Sequence, residues 1–99
     1  AYLYQAKLQN ANLSGAKLKK ADLTQANLSF ANMSWADLSY AKLSGANFAG
    51  AKLTGANFKH ANLRKANLKG ASLEGARFDF ATWIDGSKCK ANSLAKCVK

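Results

Sequence analysis

The twenty residues from Ala21 to Tyr40 read ADLTQ ANLSF ANMSW ADLSY. Alanine returns at every fifth position, and a larger apolar residue follows two places later. Extended in both directions, the rhythm runs unbroken from Ala1 to Ala81, seventeen alanines in all. The second apolar site holds Leu3, Leu8, Leu13, Leu18, Leu23, Leu28, Met33, Leu38, Leu43, Phe48, Leu53, Phe58, Leu63, Leu68, Leu73, Phe78 and Trp83. A period of five suits neither regular element. On a helix five residues turn through about 500°, so the leucines would spiral over the whole surface. On a flat strand the odd spacing would send them to alternate faces. The pattern closes only if the chain turns once per unit, with alanine and leucine inside and successive coils stacked by backbone hydrogen bonds about 4.8 Å apart.

The remaining positions fit that reading. The last place of the unit holds Gly15, Gly45, Gly50, Gly55, Gly70 and Gly75, and a type II turn needs positive φ there. The place after alanine is often asparagine, which can bond to nearby backbone or to its copies in neighbouring coils.

Units such as Ala21-Asp22-Leu23-Thr24-Gln25 and Ala46-Asn47-Phe48-Ala49-Gly50 make the chain resemble the pentapeptide repeat proteins. The resemblance implies an all-β fold, a right-handed four-sided parallel β-helix of about four coils over residues 1–85. Taking four units per coil as given, Leu3, Leu23, Leu43, Leu63 and Trp83 form one inward ladder, and Leu18, Leu38, Phe58 and Phe78 another.

The 99 residues carry 15 basic and 5 acidic side chains, a net charge of +10. No apolar run approaches the roughly 20 residues of a membrane-spanning helix, and two cysteines cannot make a disulfide-rich scaffold. One face of the coil gathers Lys17, Lys19, Lys20, Lys59, His60 and Arg77; the next carries Lys42, Arg64 and Lys65. Such charge either solvates a face or forms a patch for an acidic partner. Phe30, Trp35 and Tyr40 stand at consecutive corners, where they should project outward on different faces. Each ring either anchors a partner or shields the backbone of the next coil. No Ser-His-acid constellation stands out. His60 is the one histidine, which argues against a histidine-based metal site; it reads as a solvated surface residue. No catalytic residue, metal or cofactor is expected.

Residues 86–99 leave the rhythm and are expected to cap the last coil. Asn92 suits the start of a short helix from about Ser93 to Val98, whose Leu94 and Val98 would cover the open end below Trp83. If Cys89 lies before that helix and folds back, a Cys89–Cys97 disulfide is feasible; the alternative is two free buried thiols. A bridge points to a periplasm or thylakoid lumen, and reduced cysteines to the cytoplasm.

The expected function is therefore a non-enzymatic structural or protein-interaction module that presents a basic rod to an acidic partner. Electrostatic binding of nucleic acid or an anionic membrane surface is the alternative, with nucleic acid disfavoured because the aromatics share no face. The family resemblance also implies a third reading, gyrase inhibition by DNA mimicry. A net charge of +10 has the wrong sign for it.

Overall fold

A computed structural model describes residues 2–91 and Ser93. The chain winds into a short rod measuring 31 × 23 × 22 Å. Its register is direct: every parallel bridge joins residues twenty apart, from Tyr2–Asp22 to Asn62–Thr82. The bridges fall into four columns, which define four sides. The first side carries Tyr2, Asp22, Lys42, Asn62 and Thr82; the second Lys7, Asn27, Asn47 and Asn67; the third Asn12, Asn32, Lys52 and Ser72; the fourth Lys17, Asp37, Asn57 and Arg77. Four five-residue units thus make one circuit.

Sheet structure takes a minimal form. Each unit contributes one bridging residue and then turns, so no longer strand occurs among the described residues. The physical reason is the turn itself. The amide of the alanine that opens each unit from Ala6 to Ala81 donates to the carbonyl three residues back, as Ala26 does to Leu23 at 2.9 Å. Between turns, bonds such as Leu8 N–H to Asn27 O (2.8 Å) and Asn27 N–H to Ala6 O (2.9 Å) tie each coil to the next.

Alanine and the second apolar residue fill the interior from Ala21 to Leu63, and Phe78 and Ala81 are also buried. Small alanines let the walls close in, while Phe48, Phe58 and Phe78 occupy the lower centre. Phe58 and Phe78 stack at 5.1 Å, and Trp83 meets Phe78 edge-on at 5.0 Å. Leu3, Leu8, Leu13 and Leu18 of the first coil are only partly buried, since no described coil lies above them.

The asparagine and aspartate sites choose their own backbone over neighbouring copies. Asn27 Oδ1 accepts from the amide of Ser29 at 3.1 Å and from its hydroxyl at 2.8 Å. Asp22 with Thr24, Asn32 with Ser34 and Asp37 with Ser39 repeat the pattern. This side-chain turn explains the pairing of Asn or Asp with Ser or Thr two places on.

Past Asp85 the chain reverses. Trp83 N–H donates to Ser87 O, Cys89 N–H to Ala81 O, and Phe78 N–H to Ser93 O, with an antiparallel bridge between Thr82 and Lys88. These bonds occupy edge groups of the last units on the first and fourth sides. Cys89 is buried and carries no free thiol. Cys97, Asn92, Leu94 and Val98, and hence most of the expected helix, lie outside the described residues.

Candidate interaction surface

The corners decide what the rod shows to solvent. All six glycines at the last place of the unit have positive φ, but so do ten other residues, among them Phe30 (58°), Trp35 (63°), Tyr40 (61°), His60 (62°) and Phe80 (60°). The turn imposes this conformation whatever the side chain, at a cost of about 1–2 kcal/mol for each non-glycine residue. Aromatic rings therefore stand on strained backbone and remain open to solvent: Phe30 is 67%, Trp35 70%, Tyr40 50% and Phe80 43% exposed.

Phe30 and Trp35 each lie against a glycine one coil below. A Cβ on Gly50 would come within 2.5 Å of the Phe30 ring, and one on Gly55 within 2.4 Å of the Trp35 ring. Covering roughly a third of a tryptophan surface returns about 2 kcal/mol, which offsets the corner strain and little more.

Tyr40 behaves differently. Its ring stacks on His60 at 4.6 Å and 5°, and His60 stacks on Phe80 at 5.1 Å and 22°. The three corners, twenty residues apart, form a column along the edge between the fourth and first sides. Lys20 stands at the head of the same column by register, and Lys19 Nζ sits 5.9 Å from the centre of the Tyr40 ring. The histidine expected to be merely solvated is thus exposed yet held between two rings. Phe80 escapes sequence reasoning altogether, although its spacing of twenty from His60 and forty from Tyr40 is the available signal.

The charged residues separate into engaged and open groups. Arg77 holds Asp79 through two contacts, Nε–Oδ1 at 3.2 Å and Nη2–Oδ2 at 2.8 Å, so its charge is answered locally. That bidentate contact raises the Arg77 pKa. The hydroxyl and amide of Ser39 hold the Asp37 carboxyl below its usual range, with Lys19 adding a smaller pull. The hydroxyl and amide of Thr24 do the same for Asp22. Lys17, Lys19, Lys20 and Lys59 are exposed, and Arg77–Asp79 is the one ion pair among the described residues. Arg64 lies over Gly86, its guanidinium 3.3 Å from where a Cβ would stand, and Lys65 occupies the corner beyond it. The structure therefore gathers Tyr40, His60, Phe80 and Lys19 on one edge, and leaves Phe30 and Trp35 on two others. No group of three or more metal-ligating side chains occurs among the described residues. Nor does any helix there have the length and apolarity to cross a membrane.

A twenty-residue circuit, one inward pair per unit and a turn at every fifth residue define a β-helical solenoid. The model of the pentapeptide repeats matches residues 6–45 and 41–79, and the chain belongs to that family. Its solved relatives are right-handed, four-sided β-helices. A pentapeptide repeat protein from the Arabidopsis thaliana thylakoid lumen is 34% identical, with a TM-score of 0.75 over 85% of this chain and 62% of that one. The chain thus spans less than two thirds of that protein's length. A pentapeptide repeat protein from Nostoc PCC 7120 is also 34% identical, with a TM-score of 0.52 over 76% of this chain and 66% of that one. No curated protein sequence matches.

Proposed function

We propose that the chain is a non-enzymatic protein-interaction module: a rod of about four coils, closed by its tail, that presents basic and aromatic corners to an acidic protein partner. The exposed rings on strained corners support this reading most directly. Trp35 keeps most of its surface open while its backbone holds a conformation that glycine would adopt freely. Side chains of this kind, rigid and aromatic, are typical interface anchors. The exposed lysines of the fourth side supply the charge that an acidic surface would meet.

A disulfide between Cys89 and Cys97 fits the buried, thiol-free Cys89. It goes with an oxidising compartment; the thylakoid-lumen relative favours that location over a periplasm.

The test is affinity capture at physiological salt with the wild-type chain and with Trp35→Ala and Lys59→Glu. The expected result is an acidic protein retained by the wild type and weakened by either substitution. Retention unchanged by every surface substitution would count against the reading. Binding of oligonucleotide or anionic vesicles that collapses between low and physiological salt would favour the electrostatic alternative.

A further inference from the structure

We infer that the edge carrying Tyr40, His60 and Phe80 is the docking edge, and that it takes an acidic segment in polyproline II conformation lying along the rod axis. The inference rests on the acidic-partner reading above and names the place and shape of the contact.

The ring column sets the character of the edge. Stacked at 4.6 and 5.1 Å, the rings cover both faces of His60, Lys19 Nζ lies over the Tyr40 ring, and the rims turn outward. An aromatic rim carries the positive part of the ring quadrupole. The outward rims therefore add to the lysines beside them in favouring carboxylates, while the ammonium of Lys19 takes the face of Tyr40. His60, covered on both faces, leaves no room there for a nucleobase to stack. Because the rings hold each other in place, a partner does not have to order them on binding.

The lysines set the spacing. Lys19 and Lys59 occupy the same place in their units, forty residues and hence two circuits apart. At about 4.8 Å per coil their backbone positions lie roughly 9.6 Å apart. A polyproline II segment advances about 3.1 Å per residue and repeats its facing every third, so acidic groups three apart lie roughly 9.3 Å apart on one side. A β-strand offers same-side spacings of about 6.6 or 13 Å instead. Of the acids native to this side, Asp79 is paired with Arg77, while Asp37 is bonded to Ser39 and keeps a weaker pull on Lys19. Lys17, Lys19, Lys20, Lys59 and Arg77 outnumber those two carboxylates, so the fourth side and its edge keep an excess of positive charge.

The experiment measures fluorescence anisotropy of two labelled peptides of identical composition, one repeating Glu-Pro-Pro and one with its glutamates in a single block. Phosphatidylserine vesicles and oligothymidylate are assayed alongside. The variants are Lys19→Glu, Lys59→Glu and Tyr40→Gly, the last removing the ring while keeping the corner conformation. Lys52→Glu on the third side is the control for an equal change in net charge. The expected result is preference for the spaced peptide, weakened at least about fivefold by Lys19→Glu or Lys59→Glu and far less by Lys52→Glu. Equal loss from Lys52→Glu and Lys59→Glu overturns the docking edge and leaves the acidic partner standing. Indifference to glutamate spacing overturns the segment geometry. Failure of both peptides to bind, even at low salt, overturns the acidic-partner reading as well. Tighter binding of vesicles or oligothymidylate, lost in the same variants, assigns the edge to lipid or nucleic acid instead.

Discussion

The six-membered ring of Trp35 fills the space that a side chain on Gly55 would need: a Cβ there would stand 2.4 Å from Cε3 and 2.5 Å from Cζ3 of the indole. Gly15, in the same column one coil above Trp35, has nothing within 4 Å of its corresponding point. Both glycines sit at φ near 70°, so alanine at either pays the same backbone cost of about 1–2 kcal/mol. Gly55→Ala is expected to destabilise more than Gly15→Ala, and the excess measures displacement of the ring. Denaturant midpoints of the two variants, with Trp fluorescence reporting the ring's exposure, check this. Equal costs would mean that the indole moves aside freely.

Trp35 itself is close to neutral for stability. Trp35→Gly loses about 2 kcal/mol of ring cover but sheds about 1–2 kcal/mol of corner strain. Its expected net cost is about 1 kcal/mol or less, whereas Trp35→Ala keeps the strain and costs about 2 kcal/mol. Equilibrium unfolding of both variants separates the terms.

Asp37 and Asp22 give the rod an acid-sensitive component. Their carboxyls titrate below the usual range because each accepts bonds from a hydroxyl and an amide. A lowered folded pKa means that protonation favours the unfolded chain. The stability they add is complete above about pH 4 and fades as pH falls through their lowered values. Asparagine at both positions would keep the acceptor, as Asn27 and Asn32 already do, but cannot be protonated. The double variant Asp22→Asn/Asp37→Asn is expected to lose less stability than the wild type between pH 6 and pH 3. Thermal midpoints across that range report the difference, and parallel curves would refute it.

Phe58 lies between Phe48, which it meets edge-on at 6.0 Å, and Phe78. Phe58→Ala opens a cavity in the middle of the stack and is expected to cost about 3–5 kcal/mol. Leu3→Ala, in the partly buried first coil, is expected to cost less. Urea unfolding compares the two.

If Cys89 is bridged to Cys97, reduction should remove about 2–3 kcal/mol, the value for a short closed loop. Alkylation of the native protein before and after reduction, followed by mass measurement, reads the state directly. Two freely alkylated thiols without reductant would exclude the bridge.

Much of this architecture is legible in the residues themselves. Ala21, Leu23 and Gly45 announce an interior pair and a corner, because burial and positive φ tolerate few alternatives. The hydroxyl at Ser29, two places after Asn27, signals the side-chain turn once the unit is known. The Tyr40–His60–Phe80 column is harder to see. It exists only after four units close a circuit, and the five-residue unit does not by itself set that number. The reversal between Trp83 and Cys89 is harder still, since residues 86–99 carry no periodicity and their pairing depends on which edge groups the last coil leaves open.

The twenty-residue circuit also makes the rod a combination lock. Deleting one unit leaves every alanine and leucine facing inward, so the interior scarcely registers the loss. The surface below the cut, however, rotates by a quarter turn. Without residues 41–45, His60 would fall beneath Trp35 and Lys65 beneath Tyr40. A change of five residues can thus rewrite which chemistries share an edge while leaving the core intact. Insertions and deletions become a route to new partners that point substitutions would reach only slowly.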